Sequence, residues 1–432
     1  MLTRRGLGLS AGALALVAGL PHQAAAQAAS QLTPLEPLSL DDQFWGEGRY
    51  LPMYLDLRAK ATAGDRAAQS ALSQYAAFLG DETTAVGIVE RPRNADAGLP
   101  DLTEANAEDA LAAIVATAAN SRIVILNEAH NISGHRAFAT RVMRALRPLG
   151  FDWFAAETFT PPQAVPFQGI DAFRDGGILG GSVGYYTSDP VYAEMVREAA
   201  RLGYRFAAYE QRWNQMAADG ASSLEKITAR ETAEADNLIE TILKPYPEAK
   251  IFVYCGYSHA MEAPGDGAEW FAARLKAKTG LDPLTIEQSR NWPATRPEAD
   301  APHVAAVEAR FAPTRPIVVS LNGKMVTAPI NDGCMDLSVF HPRLPTVSGR
   351  PGWLAADTER RAVTVTLPVF EGPTLLQAMR TGEGAGAVPA DQFLLVSGQA
   401  KATLFLHPGV YFLRLERPGG IEAAFGSSEV KA

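Results

Sequence analysis

The sequence predicts an α/β fold in which a parallel sheet is flanked by helices and followed by a C-terminal β-rich, sandwich-like appendage. Between residues 122 and 289, short apolar runs alternate with amphipathic helical stretches, the pattern of parallel strands joined by crossover helices. After Arg290 the helical periodicity fades, and strand-like runs appear between Gly and Pro turns. The length of 432 residues and the apolar content of 47% are typical of a globular protein with room for more than one domain.

Five apolar runs are the candidate strands of the sheet, and their near-continuous apolar character predicts burial on both faces. They lie at residues 123–126, 153–156, 206–209, 251–254 and 284–286. Helical periodicity occurs between them, at residues 134–149, 191–202, 223–243 and 268–279.

The segments on either side of this region differ from it in pattern. Upstream, amphipathic spacing predicts helices that pack on the sheet domain, at residues 50–63, 65–79 and 103–119. Downstream, strand-like runs occur at residues 317–320, 362–366 and 410–413. We therefore expect a helical N-terminal segment, an α/β domain and a β-rich domain, at residues 30–120, 121–353 and 354–432.

The first 29 residues have the features of an export signal. Arg4 and Arg5 precede an uncharged stretch at residues 6–20, and three alanines follow at 24–26. This stretch is too short to span a bilayer comfortably, and the small residues behind it favour cleavage. The paired arginines resemble the twin-arginine signal, and a Sec signal with two basic residues is the alternative. We expect a periplasmic or secreted protein.

The charge of the chain bears on its partners. Removal of the signal takes the formal net charge at pH 7 from -9 to -11, because the signal holds two arginines and no acidic residue. An acidic chain binds polyanions poorly, which argues against nucleic acid and anionic lipid surfaces. No later stretch is apolar enough for a transmembrane helix. We expect a soluble protein with a small-molecule or peptide substrate.

The chain has two cysteines, Cys255 and Cys334. Cys255 lies in a predicted buried strand, where a free thiol behaves as a small apolar residue. A disulfide between the two is the alternative for an exported protein.

Titratable side chains follow all five predicted strands. In chain order they are Glu128 with His130, Glu157, Glu210, His259 and Glu287. Because parallel strands present their carboxyl ends at one edge of a sheet, these groups are expected to converge where α/β proteins bind ligands. Carboxylates beside two imidazoles shift one another's pKa values and suit acid/base chemistry or a metal. We predict that the catalytic residues are Glu128, His130, Glu157 and His259.

Four further residues are predicted to contact the substrate. Glu210 and Tyr257 lie at strand ends, although Arg205 or Arg212 could pair with Glu210 at the rim. Arg230 and Asn237 share one face of a predicted helix with Glu234. Arg230 could clamp a site carboxylate or a substrate anion, and an exposed ion pair of Arg230 with Glu234 is the alternative. Beyond the predicted signal, the remaining histidines lack such convergence and are expected to be structural; they are His135, His303, His341 and His407.

Three short motifs resemble the erythromycin esterase family and its relatives, the ChaN-like haem-uptake proteins and the TraB/Tiki group. Leu126-Asn127-Glu128-Ala129-His130, followed by a helix and Phe154-Ala155-Ala156-Glu157, is similar to the opening of that family. Arg230-Glu231 with Ala235-Asp236-Asn237 resembles the helix motif of the esterases, and Gly256-Tyr257-Ser258-His259 resembles the Gly-x-x-His element of the group. The resemblance covers residues 122–351. Asn127 departs from the usual Gly of the first motif, and its side chain is expected to narrow the pocket.

The resemblance to the esterases implies hydrolysis of an ester or amide without a covalent intermediate. His130 would take a proton from water held by Glu128 or Glu157, and His259 would polarise the carbonyl or protonate the leaving group. In a second version, which the Tiki resemblance implies, a divalent metal ion bound by Glu128, His130, Glu157 and His259 would acidify the water.

Three other functions are consistent with the sequence. The ChaN-like resemblance implies binding of haem or another iron-bearing ligand, with Tyr209, Tyr257 or His259 as axial ligand. Gly256-Tyr257-Ser258-His259-Ala260 also approximates the nucleophile elbow of serine hydrolases, with Ser258 as nucleophile and Asp282 and His303 as its partners. The β-rich tail is compatible with attachment to cell-wall or carbohydrate material, or with a domain that covers the crevice.

Overall fold

A computed structural model describes most of the chain after residue 37. All the elements below belong to the unit Leu40–Ala432. The predicted export signal at residues 1–29 lies outside the described residues. No helix within the described part of the chain has the length and apolar character needed to cross a membrane. The described residues are 38–88, 90, 99–161, 169–176, 178–263, 267–384, 386–395, 398–422 and 424–431.

The central sheet confirms the predicted α/β class. Its strands are β1 (Asn106–Asp109), β2 (Ile123–Glu128), β3 (Trp153–Ala156), β4 (Arg205–Ala208), β5 (Ile251–Gly256), β6 (Leu284–Glu287), β7 (Ile317–Leu321), β8 (Lys324–Met325) and β9 (Leu337–Phe340). Their order is β1-β7-β9-β6-β2-β5-β3-β4, with β8 on β7. The run from β9 to β4 is parallel, whereas β1, β7 and β8 form an antiparallel edge. All five predicted strands lie in the parallel part.

The strands at the centre of the sheet are buried on both faces, as their apolar sequences predict. Every residue of β2 and β5 is buried. In β2, Val124 and Leu126 join the core on one side of the sheet, while Ile123 and Ile125 join the core on the other. Alternation along the strand therefore divides a continuous apolar run between two cores.

The helices are α1 (Leu40–Glu47), α2 (Leu51–Thr62), α3 (Arg66–Phe78), α4 (Glu82–Gly87), α5 (Ala110–Ala118), α6 (Ser133–Leu146), α7 (Gly169–Arg174), α8 (Pro190–Arg201), α9 (Ser223–Leu238), α10 (Phe271–Thr279), α11 (Pro302–Phe311) and α12 (Gly352–Ala356). Helix α9 begins at a capping box, in which the Ser222 hydroxyl accepts from Glu225 N–H and the Glu225 carboxylate accepts from Ser222 N–H. It continues into one π-helical turn, Ile239–Leu243.

One predicted helix is shorter than the sequence pattern indicated. The stretch predicted at residues 103–119 is helical only from Ala110, and Asn106–Asp109 forms edge strand β1, antiparallel to β7. Asp109 sets the boundary, because its backbone is extended and its carboxylate caps the helix by accepting from Ala112 N–H at 2.9 Å.

The C-terminal segment forms antiparallel sheets, as predicted. Strands β10 (Arg361–Thr366) and β13 (Lys401–Leu406) form one pair, and β12 (Asp391–Leu395), β11 (Thr374–Arg380), β14 (Gly409–Arg417), β15 (Gly420–Ile421) and β16 (Gly426–Val430) form the other sheet. The two sheets share one apolar core. The N-terminal helices also pack here: Leu375 belongs to the core of α2 and α3, and the Glu416 carboxylate accepts from Tyr50 N–H and Leu51 N–H.

Both cysteines are buried free thiols. Cys255 lies inside β5, as expected, and the alternative of a disulfide with Cys334 is wrong for this structure.

Candidate active site

The carboxyl ends of β2, β3 and β5 lie side by side. Glu128 and Gly256 are register partners at the ends of β2 and β5. Glu157 follows β3, and its N–H donates to the Tyr254 carbonyl of β5 at 3.1 Å. Strand β5 therefore lies between β2, which ends at Glu128, and β3, which Glu157 follows. The groups at the carboxyl ends of all three strands lie at one edge of the sheet.

Glu128 is buried, and Arg136 donates to both of its carboxylate oxygens. Arg136 of α6 donates to it through Nε and Nη2, both at 2.8 Å, and also contacts Asp189. Burial would raise the pKa of Glu128, but the charge and hydrogen bonds of Arg136 outweigh burial and hold the pKa below its usual value. Glu128 Oε1 also lies 2.9 Å from His130 Nδ1. The expectation that Glu128 holds a water is therefore not supported, and its contacts instead suit orientation of the His130 ring.

His130 is held between two aromatic rings directly above Gly256. Its ring stacks on Tyr186 at 4.0 Å and meets the edge of Tyr257 at 5.0 Å. A Cβ on Gly256 would lie 2.5 Å from His130 Nε2 and 3.1 Å from Glu157 Oε2, so both atoms face the same point. Only glycine leaves room for this approach.

Glu157 lies at the centre of the site. Its Oε2 accepts from Gly256 N–H at 2.6 Å, and its Oε1 accepts from Arg230 Nη2 at 2.7 Å. His259 Nε2 lies 3.5 Å from the same Oε1. Burial would raise the pKa of Glu157, but the charges of His259, His130 and Arg230 outweigh it and lower the pKa to about 2. Glu157 is therefore a carboxylate at neutral pH.

His259 is the second oriented imidazole. Its Nδ1 lies 2.8 Å from Glu231 Oε2 and 3.2 Å from Glu234 Oε2, both on α9. Burial would lower its pKa, but the charges of Glu234 and Glu157 and its hydrogen bonds raise the pKa well above the usual value. Arg230 Nη1 lies 3.1 Å from Nε2 and could donate to it only if the ring carried its single proton on Nδ1. The surrounding carboxylates favour the form that also carries a proton on Nε2.

Glu231 and Glu234 are site residues that the strand-end argument did not find. Both are buried, and burial raises the pKa of Glu234 to about 8. Their signal in the sequence was the spacing of three on α9, which places them on one side of the helix. The pattern alone did not show that this side faces His259.

Arg230 clamps carboxylates of the site. In addition to Glu157, it donates through Nε to Glu210 Oε1 at 3.1 Å and pairs through Nη2 with the other Glu210 oxygen. The alternative pair with Glu234 is present, with Arg230 Nε 3.2 Å from Glu234 Oε1, but it is not exposed, because Glu234 is completely buried. Direct contacts of Arg230 and Glu210 with substrate stay predictions.

Tyr257 and Asn237 occupy different positions relative to the site. Tyr257 is 42% exposed and borders His130, as a residue that contacts substrate would. Asn237 is buried, and its amide donates to the carbonyls of Tyr209 and Glu210 and accepts from Gln215. These contacts fix the end of β4, so they indicate a supporting role, and a substrate contact of Asn237 stays a prediction.

The side chain of Asn127, which was expected to narrow the pocket, lies instead in a network of hydrogen bonds between strand ends. Its amide nitrogen donates to the Tyr257 carbonyl at 2.8 Å and to Glu287 Oε2 at 2.6 Å, and its Oδ1 accepts from Gln288 N–H at 2.8 Å. Asn127 thereby ties the end of β2 to the segments after β5 and β6. Glu287 is buried in this network, which accounts for it structurally.

The predicted metal set of Glu128, His130, Glu157 and His259 does not fit a shared ion. The oxygens of Glu128 face Arg136, and those of Glu157 face Arg230 and the Gly256 N–H, so guanidinium groups occupy the directions that an ion would need. Of the candidate haem ligands, Tyr209 is buried against Phe271 and His259 is buried among polar neighbours, whereas Tyr257 is exposed, so haem ligation by Tyr257 stays a prediction.

The serine elbow is not supported by the geometry of the turn after β5. In an elbow the strained residue is the nucleophile, whereas here Tyr257 has the positive φ, 39°. The expected partners are engaged elsewhere: Asp282 pairs with Lys276, and His303 Nε2 lies 3.1 Å from the Arg290 carbonyl oxygen.

Comparison with models of protein families gives no match, and neither does comparison with curated proteins. Among solved structures, RRSP, a MARTX toxin effector domain from Vibrio vulnificus, is 17% identical with a TM-score of 0.32, over 41% of this chain and 37% of that chain. The type III effector HopBA1 is 17% identical with a TM-score of 0.29, over 46% and 85%. The C-terminal region of Pasteurella multocida toxin, described with a thiol-protease-like catalytic triad, is 13% identical with a TM-score of 0.31, over 71% and 46%.

This chain spans about a third of the length of two of the similar structures, 37% of RRSP and 34% of a further match, a structure of bacterial protein toxins. Likenesses of this size carry no argument about activity. The functional case therefore rests on the geometry of the site.

Proposed function

We propose that this protein hydrolyses an ester or amide bond with a water molecule activated by His130. One observation carries the proposal. Two imidazoles, His130 and His259, each have Nδ1 held by a carboxylate; His259 Nε2 lies 3.5 Å from Glu157 Oε1, and His130 Nε2 borders the same point above Gly256 as Glu157 Oε2. A carboxylate on Nδ1 fixes the tautomer and orientation of a histidine, which is the arrangement of a general acid or base.

His130 is the better base of the two. Its side chain is 12% exposed, so water can reach it, and Glu128 favours the tautomer with a proton on Nδ1 and a free lone pair on Nε2. His130 Nε2 would take a proton from water while the water oxygen adds to the carbonyl carbon of the substrate. Glu157, close to Nε2 above Gly256, would stabilise the imidazolium that forms.

His259 would act on the other side of the bond. Its Nε2–H, beside Glu157 and Arg230, can donate to the developing oxyanion or to the leaving group. When the tetrahedral intermediate breaks, the carbon bond to the leaving oxygen or nitrogen is cleaved, and the leaving group gains the proton from one of the two imidazoles. No step requires a covalent intermediate or Ser258.

The resemblance of the three sequence motifs to the erythromycin esterase family supports this reaction class and includes all four catalytic candidates. Membership of that family, and export to the periplasm by the N-terminal signal, are part of the same proposal.

The test is a panel of chromogenic esters and anilides with purified protein, at pH 7 to 8. We expect wild-type turnover to fall by about 10²- to 10⁴-fold in His130→Ala, the usual contribution of a positioned base. Ser258→Ala is the matched control from the same edge of the sheet and should cost a small factor. Equal turnover by His130→Ala and the wild type would reject the proposal.

A further inference from the structure

Glu234 is a buried carboxyl group without a well-directed hydrogen-bond donor among the described residues. It is completely buried, and neither of its oxygens accepts a hydrogen bond from any residue that the structure describes. Its two nearest cationic groups, Arg230 Nε and His259 Nδ1, both lie 3.2 Å away. The Arg230 Nε–H is directed to Glu210, and the His259 Nδ1–H lies closer to Glu231 than to Glu234, so Glu234 has no donor to itself. An ionised carboxylate in that position needs another positive charge.

The groups around Glu234 form a set of metal ligands. Glu231 and Glu234 are three residues apart on α9, and His259 comes from the turn after β5. One oxygen of each carboxylate and one nitrogen of the imidazole all lie within 4.8 Å of one another, and all three residues are buried. The atoms of a tetrahedral zinc shell are roughly 3.3 Å apart, given metal–ligand bonds of about 2.0–2.1 Å. The distances from His259 Nδ1, 2.8 Å and 3.2 Å, need only a small expansion to reach this.

The local charge also favours a cation. The carboxylates of Glu157, Glu210, Glu231 and Glu234 surround a single guanidinium, Arg230, and one imidazole, His259. Two carboxylates and one imidazole are donors that Zn²⁺, Co²⁺ and Mn²⁺ accept.

We propose that Glu231, Glu234 and His259 bind one divalent transition-metal ion, with Zn²⁺ as the best match to the donor set. Binding would release the proton from His259 Nδ1 to solvent and leave the ring neutral with its proton on Nε2, facing Glu157. The site differs from the ligand set expected from the sequence, and ion binding does not depend on the proposed hydrolysis. If both hold, the ion fixes the tautomer that His259 needs as a donor.

The experiment is titration of chelator-treated protein with Co²⁺, followed by visible absorption and by metal analysis, with Zn²⁺ as competitor. The wild type should bind one Co²⁺ per chain, develop d–d absorption bands, lose them on addition of Zn²⁺, and melt several degrees higher with the metal. In Glu234→Gln the affinity should fall by at least about 100-fold. Without metal, this variant should melt at or above the wild type, because an amide costs less to bury in that position than a carboxyl group.

Glu198→Gln is the matched control, since Glu198 is also a mostly buried helix carboxylate, paired with Arg144 and Arg201. It should bind Co²⁺ like the wild type. If Glu234→Gln fails to fold, Glu231→Gln tests the same ligand set. If the wild type takes up no metal, the proposal is overturned, and a proton is then the group that neutralises Glu234. Wild-type affinity for Co²⁺ in Glu234→Gln and Glu231→Gln would also overturn it. These readouts do not use ester turnover, so the site and the proposed hydrolysis can fail separately.

Discussion

Gly256→Ala adds one methyl group beside His130, the proposed base. The new Cβ would lie 2.3 Å from His130 Cε1 and 2.5 Å from Nε2. Non-bonded carbon atoms pack at about 3.5–4.0 Å, so the ring must move by more than about 1 Å. The ring is fixed by Glu128 on Nδ1 and by Tyr186 on its face, and such a movement breaks at least one of these contacts. A displacement of about 1 Å in a catalytic group costs roughly 10²-fold in rate.

The backbone should tolerate this substitution. Gly256 has φ -87° and ψ 147°, an extended conformation open to alanine, so the cost to folding comes from overpacking alone, about 1–3 kcal/mol. The assay is kcat/KM on the best ester of the panel, together with the melting temperature. Gly46→Ala is the control, because no atom lies within 4 Å of its added Cβ. Wild-type kcat/KM in Gly256→Ala would refute the placement of His130 as the base.

Three further predictions concern other parts of the molecule. Ser258→Ala should reduce turnover by less than about tenfold, and a fluorophosphonate should not label the protein, whereas labelling at Ser258 would favour the serine elbow. Asn127→Gly should lower the free energy of unfolding by about 1–3 kcal/mol, because the buried Gln288 N–H loses its acceptor, and denaturant unfolding that shows no loss would contradict the bracing role. Glu194→Gln, which breaks buried pairs with Arg380 and His407, should cost about 3–5 kcal/mol at pH 7. Arg380 and its neighbours hold the pKa of Glu194 well below 4.5, against the effect of burial. The stabilisation from Glu194 is therefore fully present above pH 4.5 and should be lost progressively as the pH falls below that value towards the lower pKa of the folded protein. A difference in unfolding free energy between variant and wild type that stays constant down to acid pH would contradict this.

The sequence predicted five of the six strands in the parallel part of the sheet because each is a short apolar run, and it placed titratable groups at one edge because they follow those runs. Strand β1 was missed because it lies at an edge and is mostly exposed, so it lacks an apolar signal, and its pairing with β7 spans over 200 residues. The insertion of β5 between β2 and β3 is likewise a long-range property that local patterns do not contain.

Within the site, the sequence could not show which groups neutralise one another. Glu128 was expected to hold water, yet Arg136, one turn into the following helix, takes both of its oxygens. Glu231 and Glu234 were visible only as charged positions on a helix. Their partnership with His259 depends on how α9 packs against the turn after β5, which helical periodicity does not specify.

Chemical rescue of His130→Ala by imidazole tests the central claim most directly. The variant should retain its fold and lose about 10²- to 10⁴-fold in ester turnover, and added imidazole should restore part of that loss in proportion to its concentration, because the site keeps Glu157, Arg230 and His259 in place for an external base. Full turnover by His130→Ala without imidazole would contradict the account.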